Sequence, residues 1–131
     1  MPVEMQWLDD EQTVLHFVFS DPWTVADYRP IHRAALELIS TLDYPVHGFY
    51  DFRASKSIPA NAVTGFMRTG SQNPWRKNAG IFVVISNDRF LKMLARPVSQ
   101  LFRGFKIYFV DTLDEAWERL ARHAENPPKA P

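Results

Sequence analysis

The chain has 131 residues, of which 46% are hydrophobic, and its 15 basic and 15 acidic side chains give a net charge of zero. This length is typical of a single domain, and the apolar content excludes a disordered chain. The absence of cysteine excludes disulfides and zinc sites built on thiolates, and the neutral balance argues against a nucleic-acid partner.

The first third of the chain predicts two strands and a helix. Residues 3–8 alternate between the two faces of a half-buried edge strand, and residues 13–19 predict a second strand, antiparallel to the first because the connection is short. Thr24 and Asp27 resemble a helix N-cap with an acid in the first turn, and apolar residues spaced by three and four follow. Pro30 interrupts that pattern, so we expect either a kink or a helix that begins near Pro30.

The middle of the chain contains the most strongly apolar run. Residues 46–51 predict the third strand, and Gly80–Ser86, uncharged and rich in β-branched residues, predicts a strand buried on both faces. We interpret this buried run as the central strand of the sheet. A weaker helix is expected at about residues 61–71, and another begins at Asn87 or Asp88.

The last part of the chain predicts a strand, a helix and a tail. Residues 106–110 predict the strand, and Thr112 with Glu115 forms a capping box for the helix. The buried stripe of that helix is predicted to contain Leu113, Ala116, Trp117, Leu120, Ala121 and Ala124. Residues 126–131 are rich in proline and predict a disordered tail.

The elements together predict one α/β domain over residues 1–125, in the order β-β-α-β-α-β-α-β-α. The sheet is expected to be mixed and largely parallel, with about five strands and four helices packed against it. The order of the strands within the sheet does not follow from the sequence. No apolar run approaches the roughly 18 residues of a membrane span, and the first five residues lack the pattern of a secretory signal. We therefore expect a cytoplasmic protein without a membrane span.

Charge is divided unevenly along the chain. Residues 1–51 contain nine acids and two bases, residues 52–106 contain one acid and ten bases, and residues 107–131 contain five acids and three bases. The simpler interpretation is that the basic middle pairs with the acidic first part as ordinary solvated side chains. The alternative is a positive face that binds an anionic partner.

Four stretches carry a resemblance to a known family, namely residues 17–22, Trp23-Thr24, residues 49–55 and residues 110–117. They resemble the SpoIIAA-like, or STAS-like, group of small bacterial α/β domains over nearly all of residues 13–122. The resemblance implies a regulator that binds partners and performs no catalysis, and similar domains are regarded as binding apolar or anionic small ligands. In the antagonists of anti-sigma factors, a serine at the start of the second helix is phosphorylated. This chain departs from that pattern, because Ile58-Pro59-Ala60-Asn61 stands there.

Polar residues follow the strands whose carboxyl ends should share one edge of the sheet, where open α/β folds bind ligands. The predicted binding residues are Asp51, Arg53, Ser55, Lys56, Ser57, Asp88 and Arg89. Helix N-termini at this edge favour anions, and the basic side chains add positive charge. The loop from Arg53 to Ser57 is the main candidate, because it is basic, carries hydroxyls and is not explained by helix capping. Asp88 has the simpler interpretation of a cap.

The sequence contains no recognisable catalytic or metal-binding motif. His16, His32, His47 and His123 lack the spacing of metal ligands, so no metal is predicted, and the glycines form no nucleotide-binding motif, so no cofactor is predicted. We interpret His16 and His47 as structural. A surface or pocket between the second and third helices is an alternative binding site, but its residues are more simply core: Phe66, Met67, Trp75, Phe90, Met93 and Phe102.

The hypothesis is therefore a non-enzymatic binding or regulatory domain that recognises a protein partner or a small anionic or apolar ligand. The alternative is a small enzyme that uses Asp51, Arg53 and Ser55 in a cleft. Assembly into a homo-oligomer is left open.

Overall fold

The computed structural model describes residues 2–56, 79–89 and 106–125, together with positions 61, 62, 64, 65, 68 and 93. These residues form a five-stranded mixed sheet and two helices, which confirms the predicted α/β class. The strands are β1 (Val3–Trp7), β2 (Val14–Phe19), β3 (Val46–Asp51), β4 (Ala79–Ile85) and β5 (Lys106–Val110), and the helices are α1 (Val25–Ile39) and α2 (Leu113–Glu125). The two helices predicted between β3 and β5, and the tail at 126–131, lie largely or wholly outside the described residues.

The strands lie in the sheet in the order of the chain, from β1 to β5. β1 is antiparallel to β2, as predicted, and β2 to β5 are mutually parallel. β3 therefore occupies the middle position, and the expectation that residues 80–86 form the central strand is wrong. That expectation rested on burial, and β4 is indeed buried on both faces, but so is β3.

Alternation along the strands divides the core into two clusters, one on each face of the sheet. On the α1 face, Leu15, Phe17 and Phe19 of β2 pack with Val25, Tyr28, Ala35 and Ile39 of the helix. On the α2 face, Val14, Phe49, Ile81, Val83, Ile85 and Val110 pack with Ala116. β2 and β3 contribute to both clusters, so both strands are buried on two sides.

Helix α1 begins at Val25, directly after its cap. The hydroxyl of Thr24 accepts from the backbone N–H of Asp27 at 3.2 Å, and the Asp27 carboxylate accepts from the backbone N–H of Thr24 at 2.8 Å. This capping box defines the start of the helix, and the helix continues through Pro30 to Ile39. The alternative of a helix that begins near Pro30 is therefore wrong, because the cap and the buried face of the first turn outweigh the one hydrogen bond that proline cannot donate.

Helix α2 has the predicted cap but a narrower buried face. The hydroxyl of Thr112 accepts from the backbone N–H of Glu115 at 3.1 Å. Ala116 is fully buried, whereas Ala121 is exposed, so the prediction that Ala121 is buried is wrong. Ala121 lies on the flank of the apolar stripe, where the helix surface turns away from the sheet. Neither described helix is long and apolar enough to cross a membrane.

Candidate functional site

The candidate site lies where the parallel strands β2, β3 and β4 end. The backbone N–H of Phe52, just past β3, donates to the carbonyl of Ile85 at the end of β4, 2.9 Å away. The loops after β2 and β3 are also joined, because the N–H of Asp21 faces the carbonyl of Ala54 at 3.5 Å. The predicted edge is therefore a continuous surface made of strand ends and their loops.

Asp51 and Arg53 form a tight pair on this edge. Nε of Arg53 donates to Oδ1 of Asp51 at 2.9 Å, and Nη2 donates to Oδ2 at 2.6 Å. The backbone N–H of Arg53 also donates to Oδ1, at 3.0 Å. Two parallel bonds from a planar guanidinium fix its orientation as well as its position. Arg53 is thus held in place although 43% of its side chain is exposed.

His16 on β2 is a third member of this group. Its Nε2 lies 2.9 Å from Oδ2 of Asp51, across two neighbouring parallel strands. The carboxylate can only accept, so Nε2 carries the hydrogen, and in the neutral ring Nδ1 is then an acceptor. His16 is only 7% exposed, and its Nδ1 has no hydrogen-bond partner among the described residues. A buried polar atom without a partner costs about 1–3 kcal/mol of stability.

The charge on Asp51 is stabilised by these neighbours. Burial by itself raises the pKa of a carboxyl group, but hydrogen bonds from His16 and Arg53, together with the positive charge of Arg53, outweigh it. The pKa of Asp51 is therefore held well below its usual range. Asp51 acts as a permanent anion that orients His16 and Arg53, and it is not available as a proton donor near neutral pH.

Ser55 and Lys56 belong to a separate set of contacts. The indole N–H of Trp23 donates to the Ser55 hydroxyl at 2.7 Å, and that hydroxyl lies 3.3 Å from Oδ1 of Asp21. The backbone N–H of Lys56 donates to Oδ2 of Asp21 at 2.5 Å. These bonds tie the loop after β3 to the loop after β2. They leave the side chains of Arg53 and Lys56 exposed on a braced loop.

The remaining predicted residues are less closely joined to this group. Asp88 and Arg89 follow β4 on the same edge, where the N–H of Asp88 donates to the Ser86 hydroxyl at 3.0 Å and Arg89 is exposed. Ser57 lies outside the described residues. The described contacts therefore form two groups, one of Asp51, Arg53 and His16 and one of Ser55 and Lys56 with the loop after β2.

Two further histidines, His47 and His123, lie close together near the amino end of β3. Nδ1 of His47 accepts from the backbone N–H of Ile81 at 2.9 Å, and the rings of His47 and His123 are 6.1 Å apart. Burial and then the nearby His123 lower the pKa of His47, against an opposing effect of Asp9. Beside them, a depression of about 470 Å³ is lined by Glu11, Thr13, Tyr44, Pro45, His47 and Leu120. Its lining is mainly apolar.

A buried tyrosine, Tyr28, and a partly buried one, Tyr50, bond to each other within the core on the α1 face. The hydroxyl of Tyr28 lies 2.9 Å from Nδ1 of His32 and 3.5 Å from the hydroxyl of Tyr50. Burial raises the pKa of Tyr50 to about 12, so the ring stays neutral and packs against Phe17. These groups add polar bonds to the core.

His16 is the site residue that the sequence did not assign. In the sequence, His16 stands out only as a single polar residue between Leu15 and Phe17 in a buried strand. A buried polar side chain requires a hydrogen-bond partner. The partner, Asp51, is 35 positions away and depends on the register of β2 against β3. Sequence patterns do not specify that register, so the pair could not be predicted.

Within the described ranges, no group of three or more histidine, aspartate or glutamate side chains is placed to hold a metal ion. Comparison with known proteins gives no match to a family model, to a curated protein or to a solved structure.

Proposed function

We propose that this chain is a STAS-like binding or regulatory domain that performs no catalysis, and that it recognises an anionic group of a protein partner or small ligand through the loop after β3. The proposal is supported by the geometry of Arg53. The guanidinium of Arg53 is fixed at two nitrogen atoms by Asp51 and is still 43% exposed. A cation oriented before binding loses little conformational entropy when an anion arrives.

The braced loop supports the same proposal. Asp21 and Trp23 hold Ser55 and the backbone of Lys56, so the Lys56 side chain extends from a fixed base. The Asp21 carboxylate offsets part of the positive charge, but it already accepts two hydrogen bonds from the loop. The proposed likeness to a STAS-like family rests on the sequence resemblance, and the described residues add the α/β class.

The test is capture of partners by the tagged full-length chain, followed by comparison of two charge reversals. Lys56→Glu changes an exposed side chain of the loop, and Arg33→Glu makes the same change on the exposed face of α1. A partner lost with Lys56→Glu and retained with Arg33→Glu supports the proposal. Equal retention by both variants contradicts it.

Arg53 needs a different design because it neutralises a buried carboxylate. Arg53→Ala alone would leave Asp51 without its counter-charge and destabilise the fold. The double variant Asp51→Asn with Arg53→Gln removes both charges together. We expect this variant to fold and to lose the partner, and its melting temperature checks that the loss reflects binding.

A small enzyme is the second candidate, and the His16–Asp51 pair favours it. A carboxylate that orients an imidazole is a recurring arrangement for general-base catalysis. The hydroxyl of Ser55, which the enzyme alternative would place in the cleft, is instead engaged with Trp23 and Asp21. Hydrolysis of simple esters or phosphomonoesters that disappears in His16→Gln, with folding intact, would favour the enzyme over the binding domain.

A further inference from the structure

The side chain of His47 occupies a bulge near the start of β4. The register of β3 against β4 shifts between Val46 and Gly48, where two steps along β3 match three steps along β4. At this point the backbone N–H of Ile81 donates to Nδ1 of His47, 2.9 Å away. A bulge disrupts the regular ladder of backbone bonds. The imidazole therefore takes the part that a backbone carbonyl has elsewhere along the strand.

This bond determines where the ring carries its hydrogen. Nδ1 of His47 accepts from Ile81, so it has no hydrogen, and in the neutral imidazole the hydrogen is on Nε2. A second proton would have to bind to Nδ1. Two N–H groups would then face each other, and the hydrogen bond would be lost. The contact with Ile81 is therefore compatible with only the neutral form of His47.

The charged and titratable groups around the ring act in opposite directions. They come from α2, from the loop before β3 and from the turn after β1, and they are His123, Tyr44, Asp9 and Glu11. Burial and the nearby His123 lower the pKa of His47, whereas Asp9 raises it. Lys106 of β5 acts on His123 and adds positive charge on that side. An imidazolium is therefore disfavoured in the packed position and favoured nearer to the acids.

The ring borders a space into which it can move. His47 lines the open depression of about 470 Å³ together with Glu11, Tyr44 and Leu120. Its backbone is held by the neighbouring strand, because its N–H donates to the carbonyl of Thr13 at 2.7 Å. Rotation of the side chain alone can therefore carry the ring out of the bulge and toward the Glu11 carboxylate.

We propose that His47 is a proton-sensitive switch: the neutral ring closes the bulge by accepting from Ile81, and the protonated ring rotates into the depression and pairs with Glu11. The bulge then opens while the rest of the sheet keeps its pairing. The depression gains a positive charge and loses volume in the mildly acid range, where histidine titrates. This switch is independent of the proposed recognition of anions at the carboxyl ends of the strands.

The first experiment measures amide hydrogen exchange in the unmodified full-length chain. Protection of the Ile81 amide, relative to its intrinsic exchange rate, is compared at about pH 7.5 and about pH 5. The Val83 amide lies further along β4 and reports opening of the whole strand. We expect the protection of Ile81 to fall by about tenfold more than that of Val83, as one lost hydrogen bond predicts. Equal changes at the two amides overturn the proposal.

The ring itself gives a second readout. With ¹⁵N-labelled histidine, Nδ1 of His47 at about pH 7.5 should have the chemical shift of an unprotonated nitrogen, and Nε2 that of a protonated one. On acidification, both nitrogens should become protonated over the same pH range in which Ile81 loses protection. A hydrogen on Nδ1 at neutral pH, or protonation that leaves Ile81 protected, overturns the proposal.

Matched substitutions test each side of the switch. Glu11→Gln removes the charge that receives the ring and keeps the size of the side chain, so the loss of Ile81 protection should need a lower pH. His123→Gln removes a neighbour that opposes the second proton, so the loss should begin at a higher pH. His47→Asn does not titrate and should abolish the dependence on pH. A dependence on pH that is the same in Glu11→Gln, in His123→Gln and in the original chain overturns the proposal, whether or not His47→Asn folds.

Discussion

The imidazole of His47 lies directly against Gly80, so that a Cβ atom at Gly80 would overlap Nδ1 of the ring. The same Nδ1 accepts from the N–H of Ile81 at 2.9 Å. The His47 side chain on β3 thus accepts a hydrogen bond from the β4 backbone, in place of a bond between the two backbones. This contact lies where the β3–β4 register shifts. The lack of a side chain at Gly80 is what allows the ring to approach.

Gly80→Ala is therefore expected to displace His47 and to break its bond to Ile81. We expect the free energy of unfolding, measured by chemical denaturation, to fall by about 2 kcal/mol. The double variant Gly80→Ala with His47→Ala removes the overlap. It should be destabilised by less than the sum of the two single variants, and strict additivity would contradict the contact.

His47 should make stability depend on pH in the mildly acid range. Because the pKa of His47 is lowered from 6.5 by burial and by His123, the unfolded chain binds this proton more readily than the folded chain. The contribution of His47 to stability is complete above pH 6.5 and is lost as the pH falls below it.

The measurement is the denaturation midpoint at pH 7.5 and at about pH 5.5, with His47→Asn as the comparison, since its shorter side chain places an acceptor near Nδ1 and does not titrate. We expect the loss between these pH values to be smaller in His47→Asn. Burial and the nearby Lys106 also lower the pKa of His123. The variant His123→Gln is therefore needed to subtract the contribution of His123 to the pH dependence. An unchanged pH dependence in both variants would refute the prediction.

Asp51 should account for most of the change in the free energy of unfolding below about pH 4. Its folded pKa lies below the unfolded value of 3.8, so its contribution is complete above about pH 4 and is lost as the pH falls further. Asp51→Asn should lower the free energy of unfolding by about 3 kcal/mol at pH 7, because Arg53 and His16 lose a charged partner. The difference from the original chain should narrow at pH 3.

The control for this experiment is Asp10→Asn, on an exposed turn. We expect it to change stability by no more than about 0.5 kcal/mol at either pH. The difference in free energy of unfolding between Asp51→Asn and the original chain could instead stay constant from pH 7 to pH 3. That result would show that the charge of Asp51 is not what stabilises the fold.

The cap of α1 should contribute measurably to stability. Thr24→Ala removes the hydroxyl that accepts from Asp27, and we expect a loss of about 1 kcal/mol. Ser40→Ala removes an exposed hydroxyl at the other end of the helix, where it donates to the Glu37 carbonyl. Its effect should be smaller, because other residues of the last turn and water can satisfy that carbonyl. Equal losses from the two variants would argue against the capping box.

The elements of this protein were largely predictable from local sequence. All five strands and the caps at Thr24 and Thr112 appear where alternation and capping patterns place them. Such patterns depend on side chains within a few positions of one another. The start of α1 was the weaker inference, because the penalty of Pro30 and the benefit of the cap oppose each other and only the packed helix shows which is larger.

The candidate site was predictable only in part. Asp51, Arg53, Ser55 and Lys56 could be placed at the strand-end edge because each follows β3 directly. Their partners could not be inferred, since His16 meets Asp51 and Trp23 meets Ser55 from 35 and 32 positions away. Those meetings depend on the order of the strands and on the parallel register of β2 against β3. Burial of the whole sheet sets that register, so it belongs to the tertiary structure and to no short stretch of the chain.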